Sequence, residues 1–261
     1  MTSQDSPITV QKPAQHNGER PALAWKLWLY TNFDCNLRCS YCVAESTPEA
    51  PRRALGLDHV RRLVDEAVEL EFEKVLLTGG EPLILPDIYK MIAYSSARLQ
   101  TTLLTNAMLL RGRRLQRLCE VNNENLSIQV SLDGGSAGRH DAYRGAGTWA
   151  KTVDGIAQLQ TNGFRVLIST TETPANTSHL EELHAFRRNL DISDKDHFVR
   201  PLARRGFSRQ GLEVGTDTLV PELTVTIDGV YWHPLVSPSD TDMRVRREIF
   251  PLATAVQCSR I

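Results

Sequence analysis

Cys35-Asn36-Leu37-Arg38-Cys39-Ser40-Tyr41-Cys42 gathers three of the five cysteines of this chain into eight residues. The apolar run Leu27–Thr31 leads straight into it, so the cysteines sit on the exit loop of a strand. The spacing C-x3-C-x2-C supplies three thiolates, one fewer than a cubic iron–sulfur cluster takes. A cluster held at three corners leaves one iron open, and an open metal position can bind and activate a small molecule. Two other readings of the segment stand beside this one. Zinc could be held by the three cysteines and one histidine, with His59 the nearest histidine downstream. The cysteines could also simply pack as small hydrophobes, although so tight a run suits that role poorly.

A second motif bears on the choice. Val75-Leu76-Leu77-Thr78-Gly79-Gly80-Glu81-Pro82 is an apolar strand that ends in a glycine turn with a carboxylate. Paired glycines let backbone come close to a ligand and leave N–H and C=O groups exposed to it. Glu81 adds an acceptor there, and Pro82 stiffens the exit. Alone, such a turn says little; downstream of a cysteine triplet it says much more.

Together the two motifs resemble the radical S-adenosylmethionine (SAM) enzymes, whose signature is CxxxCxxC after the first strand and GGE-P after the second. The resemblance implies that Cys35, Cys39 and Cys42 ligate a [4Fe–4S] cluster whose open iron is chelated by SAM. It implies that the Gly79-Gly80-Glu81 segment receives the methionyl amine, and that Tyr41 stands where the family has an aromatic flanking the adenine. It also implies a low-potential electron donor, flavodoxin- or ferredoxin-like.

Strand and helix patterns alternate from Trp25 to about Leu202. After Leu27–Thr31, the residues Leu57, Val60, Leu63, Val64, Ala67, Val68 and Leu70 recur at helical spacing. Val75–Thr78 reads as a strand, Ile88–Leu99 as a helix, Leu103–Leu104 as a short strand and Leu110–Cys119 as an arginine-rich helix. Leu126–Leu132 (strand), Trp149–Leu159 (helix), Phe164–Thr170 (strand), Leu180–Leu190 (helix) and His197–Leu202 (strand) complete six βα-like units. Such alternation predicts an α/β fold with a parallel sheet and helices outside it. Six units do not close an eight-fold barrel, and the resemblance implies an open partial (β/α)6 barrel with its ligand loops at the C-terminal ends of the strands. The expected division is a loose polar tail over 1–22, the barrel core over 23–205 and a C-terminal cap over 206–261.

That cap carries Leu223–Ile227, Asp228-Gly229 and Val230–Trp232, a β-hairpin pattern with a strong turn signal. Val236–Thr241 reads as a loop, and Ile249–Cys258 as a closing helix with Pro251 in its first turn. In many sulfatase-maturating and peptide-modifying relatives a hairpin like this introduces a cysteine-rich extension with extra clusters. Here His233 stands at the comparable position and only Cys258 follows, so the cap is expected to hold no auxiliary cluster.

Ser131-Leu132-Asp133-Gly134 resembles the SLDG segment of the same branch, whose serine contacts SAM, and Asp-Gly is also an ordinary turn pair. His140-Asp141-x-x-Arg144 follows. Arg144 could meet the SAM carboxylate with its guanidinium, or pin the loop through an ion pair to Asp141. Thr105-Asn106-Ala107 stands where many relatives have Thr-Asn-Gly; Thr105 and, behind it, Asn106 are cofactor candidates. Alanine disfavours a turn that needs positive φ at the third position.

Arg200, Arg204, Arg205 and Arg209 crowd the sixth strand and its exit. Most charge runs are solvated faces. Arg200 alone lies within the strand pattern at the barrel mouth, and arginine suits carboxylate or phosphate, so it is the candidate for an anionic substrate. Cys119 reads as core packing and Cys258 as an inert thiol. Among Asp196, His197 and His233 the spacing selects no acid–base group.

At 261 residues the chain can bury a large core, and a formal charge of −1 gives no reason to expect nucleic acid as a partner. No apolar run approaches the ~20 residues that span a bilayer. An odd, clustered cysteine set suits free thiols in a reducing cytosol, so a cytoplasmic protein is expected. The expected activity is reductive cleavage of SAM and hydrogen abstraction from a peptide or small metabolite. The alternatives are a relative of the GTP-cyclising enzyme of molybdenum-cofactor synthesis, and a non-catalytic iron–sulfur or zinc module.

Overall fold

A computed structural model describes residues 24–217, 219–239 and 241–258; the polar tail expected over 1–22 lies outside them. Five strand–helix units and a sixth parallel strand follow in order, beginning with β1 (Ala24–Tyr30), α1 (Leu57–Glu69), β2 (Lys74–Thr78), α2 (Ile88–Ser96), β3 (Gln100–Thr105), α3 (Gly112–Cys119) and β4 (Leu126–Ser131). Then come α4 (Ala137–Arg144), α5 (Thr148–Thr161), β5 (Arg165–Glu172), α6 (Leu180–Asn189) and β6 (His197–Pro201). The chain continues through β7 (Glu222–Thr226), β8 (Gly229–Tyr231), β9 (Arg244–Arg246) and α7 (Leu252–Cys258).

All nine strands form one sheet, in the order β6-β5-β4-β3-β2-β1-β7-β8-β9. β1 to β6 run parallel, with Leu27 opposite Val75 and Ile128 opposite Val166. This is the parallel α/β sheet that the alternation predicts, in the open partial-barrel form that the resemblance implies. The hairpin is a correction in one respect: its first strand, β7, pairs parallel with β1, so the expected cap extends the barrel's own sheet. β1 therefore has a hydrogen-bonded neighbour on each side, and its alternate residues are buried on both faces, Leu27 and Leu29 on one and Trp28 and Tyr30 on the other.

The outer face of the sheet is closed by apolar helix stripes. Val60, Leu63, Val64 and Ala67 of α1 join Leu27, Leu29, Val75 and Leu77 in the main core. Each such side chain contributes about 1.5–3 kcal/mol by leaving water. Val68 shares the helical spacing yet points outward, 44% exposed. Three further differences have local causes. β3 runs longer than Leu103–Leu104, because the β-branched Thr101 and Thr102 are buried in it and Thr102 bonds Ser127 across the sheet. The histidine–arginine segment winds into α4, and α7 starts one residue after Pro251. Among the described residues no helix is long and apolar enough to cross a membrane.

Candidate active site

The cysteine loop and the glycine turn are stitched together by the two polar residues that precede the cysteines. Asn32 donates its Nδ2 to the Asp34 carbonyl at 2.8 Å and to the Asp34 carboxylate at 2.9 Å. Gly80 N–H donates to the Asn32 carbonyl at 2.9 Å, and Glu81 N–H to the Asp34 carbonyl at 3.0 Å. The backbones are so close that a Cβ on Gly80 would lie 2.1 Å from the Asp34 oxygen. Only glycine permits that approach, and so the turn lies directly against the loop.

Glu81 is fully buried, and burial raises its carboxyl above the ordinary value. Its carboxylate accepts from Leu83 N–H at 3.1 Å, Thr105 Oγ1 at 2.8 Å and Asn106 N–H at 2.9 Å. Glu81 and the Thr105 hydroxyl thus face one another, holding the β2 turn to the β3 turn. Asn106 donates its Nδ2 to Asn36 Oδ1 at 2.8 Å, which joins the β3 turn to the cysteine loop as well. Ala107 does take the positive φ that alanine disfavours, 61°, so the turn keeps the glycine-like path at a cost of about 1–2 kcal/mol.

On the other side of the loop, Asp133 gathers three elements. Its carboxylate accepts from Tyr41 Oη at 2.5 Å, Arg144 Nε at 2.6 Å and Thr171 N–H at 2.9 Å. Arg144 is therefore paired with Asp133 and not with Asp141. Asp141 is taken by Gly147 N–H, Trp149 N–H and the Thr148 hydroxyl at the start of α5. Burial holds the Tyr41 phenol well above its usual range, so it stays a donor to Asp133. Asp133 N–H in turn donates to His140 Nδ1 at 3.1 Å.

One cavity at the C-terminal ends of the parallel strands is lined by Cys35, Cys39, Cys42, Tyr41, Gly79, Gly80, Glu81, Thr105, Ser131, Arg144 and Arg200. Every candidate cofactor, metal and substrate residue of the sequence reading meets there. Leu37 N–H points at Cys35 Sγ and Ser46 N–H at Cys42 Sγ, each at 3.4 Å. Burial pushes up the Cys35 thiol and raises Cys39 to about 11. Both are therefore weak thiolates until a cation is beside them. Two buried thiols and a half-buried third, with N–H donors aimed at two of the sulfurs, fit a cluster ligated through three corners. They fit zinc poorly. His59 bonds the Leu55 carbonyl at 2.7 Å and packs on Phe250, so the fourth ligand that the zinc reading needs is engaged elsewhere.

The remaining candidates point elsewhere. His197 faces Thr170 at 2.8 Å, Asp196 pairs with Arg165 at 3.0 Å, and His233 accepts from Leu235 N–H at 3.3 Å. Cys119 lies partly buried against the main core, and Cys258 is exposed. Asn32, Asp34 and Asp133 escaped sequence reasoning as structural ties. The available signal was the Asx residues directly ahead of Cys35 and within the SLDG turn.

The Radical SAM superfamily matches the chain over residues 29–186. An AdoMet-dependent heme synthase of Methanosarcina barkeri is 32% identical over 64% of this chain and 47% of its own. The mycofactocin maturase MftC of Mycobacterium tuberculosis is 30% identical over 70% of this chain and 45% of its own. The chain spans about half the length of the curated relatives it matches. Streptococcus suis SuiB, solved with SAM bound, superposes with a TM-score of 0.60 at 19% identity, over 77% of this chain and 44% of that one. At that identity the likeness speaks for the fold alone. The family match covers the cysteine loop, the glycine turn and the SLDG segment, and the chain belongs to the radical SAM superfamily, enzymes that use a [4Fe–4S] cluster and SAM.

Proposed function

We propose that this radical SAM enzyme holds its cluster through Cys35, Cys39 and Cys42, cleaves SAM reductively and abstracts hydrogen from a peptide or small-metabolite substrate. The observation that carries the reading is the meeting of the three thiols, the Gly79-Gly80 turn, Ser131 and Arg144 in one cavity. When bound, these cofactors supply one-electron cleavage of SAM to methionine and a 5′-deoxyadenosyl radical, which takes a hydrogen atom from the substrate. The protein's part is to place and enclose. Gly79 and Gly80 line the cavity and would offer backbone to the methionyl end of bound SAM, and Tyr41 and Ser131 would flank its nucleoside. Arg144, steadied through Nε by Asp133, would have the rest of its fork available for the cofactor carboxylate. Glu81 acts as a positioning residue, since its carboxylate already has three donors. The apolar walls from Tyr30, Leu104 and Leu235 keep water from the radical.

A peptide substrate has support in the neighbours: SuiB has been solved with the precursor peptide SuiA, and MftC is a maturase. The heme synthase and GTP 3′,8-cyclase relatives keep a small molecule in view. The electron would come from a flavodoxin- or ferredoxin-like donor. Anaerobic reconstitution tests the proposal. It should yield a brown protein with about four irons per chain that forms 5′-deoxyadenosine on reduction. Alanine at Cys35, Cys39 or Cys42 should abolish both, whereas alanine at Cys119 or Cys258 should leave the iron content unchanged. A colourless protein that spares SAM would remove the reading.

A further inference from the structure

Arg200 stands apart from the other arginines of its run. Arg204 pairs with Glu213 at 2.6 Å and Arg205 with Asp242, both away from the cavity. Arg200 lines the cavity it shares with the three thiols, and among the described residues it makes no hydrogen bond or ion pair. Its guanidinium lies 5.8 Å from the Trp28 ring, so an aromatic plate on β1 holds the fork across the open side of the barrel. The neighbouring carboxylate, Glu222, is otherwise engaged. It accepts from the Trp28 indole N–H and lies 3.7 Å from Lys26 Nζ, so it attracts Arg200 from a distance without forming a hydrogen bond or contact ion pair with it.

The register adds free hydroxyls beside it. Thr171 is the β5 partner of Arg200, and two residues earlier on β5, on the same face, Ser169 pairs with Ser131 of β4. All three hydroxyls line the cavity, and none has a protein partner among the described residues. With Ser131 assigned to the cofactor, the unpartnered Ser169 and Thr171 hydroxyls beside a guanidinium without a hydrogen-bonded counter-ion match a singly charged group with two coplanar oxygens. We infer that the substrate carries a carboxylate and that Arg200, flanked by Thr171, is the residue that receives it. One guanidinium balances the single charge of a carboxylate, whereas a phosphate dianion would be only half neutralised by it. This inference rests on the cavity being the radical SAM chamber proposed above.

The test uses the reconstituted, SAM-loaded protein under anaerobic conditions, with glutarate, glutaramide and inorganic phosphate as probes. Thermal midpoint and titration calorimetry are the readouts. Glutarate should raise the midpoint of the wild type and glutaramide should not. Arg200→Gln should weaken glutarate roughly tenfold or more, the effect of a lost charge-assisted bond. Arg200→Lys should recover part of that binding, and Arg209→Gln should bind like the wild type. Equal response to glutarate and glutaramide, or undiminished glutarate binding in Arg200→Gln, overturns the inference. Phosphate binding through Arg200 as tightly as glutarate overturns the carboxylate assignment. A tenfold loss of SAM affinity in Arg200→Gln would show that Arg200 serves the cofactor instead. Iron content and deoxyadenosine in the probe-free wild type report separately on the chamber itself. If they fail, the probe discrimination can still be read on the iron-free protein.

Discussion

Asp133 joins a cysteine-loop tyrosine, the end of α4 and the end of β5 through a single carboxylate that is 1% exposed. Removing it leaves the Arg144 charge buried and unpaired, and breaking such a pair costs about 3–5 kcal/mol. Tyr41→Phe deletes one of the same bonds and leaves the pair intact, a loss of about 1 kcal/mol. Denaturant unfolding of Asp133→Ala beside Tyr41→Phe checks the ranking, and equal losses would show that the carboxylate does not bind the three elements together. The importance of Asp133 was only half legible. SLDG marked the residue as a turn, but its partners lie 92, 11 and 38 positions away in the chain and meet only through strand pairing. Glu81 teaches the same point. Its motif identified the residue, while Thr105 and Asn106, 24 and 25 positions on, decided where the carboxylate turned.

At the level of elements, strands and helices with strong periodicity were legible to within a residue or two, as α1 and β4 are, because burial on one face imposes the pattern. β9 was hidden: three residues, Arg244-Val245-Arg246, carry no alternation long enough to read, and the strand exists because β8 offers an open edge. How elements approach one another was equally invisible. α5 crosses the β3 turn so closely that a Cβ on Gly155 would lie 2.3 Å from the Ala107 carbonyl oxygen. Gly155→Ala should therefore lower stability by about 1–3 kcal/mol through overpacking, despite alanine's better helix propensity. In α4, a Cβ on Gly138 meets nothing within 4 Å, and the same substitution there should raise stability by up to about 1 kcal/mol. Thermal melts of the two variants should move in opposite directions, and a common direction would refute the close crossing.

For the whole molecule, acid should loosen the fold well before its carboxylates titrate. Burial lowers the imidazoles of His140, His197 and His233 to about 4. In the unfolded chain they titrate near 6.5, so between the two values the unfolded chain binds more protons. The stabilisation is whole above about pH 6.5 and is lost as pH falls towards 4. His140 alone accounts for about 3 kcal/mol of that loss, and its Nδ1 cannot take a proton while it accepts from Asp133 N–H. Denaturant midpoints at pH 7.5 and pH 5 should differ clearly in the wild type and less in His140→Gln. Equal pH sensitivity in both would exclude His140 as a source.

β1 is flanked by β2 and β7, whereas among the described residues β6 ends the sheet with β5 as its one neighbour. The amides of β1 donate alternately to β2 and β7, so all are covered, while alternate amides of β6 face away from β5 with no strand beside them among the described residues. Deuterium labelling should accordingly find Leu27–Tyr30 among the slowest amides and Phe198–Arg200 among the faster ones. The thiols would then follow directly on one of the best-protected strands of the sheet, while the strand that carries Arg200, on the far edge of the same cavity, would lift more readily.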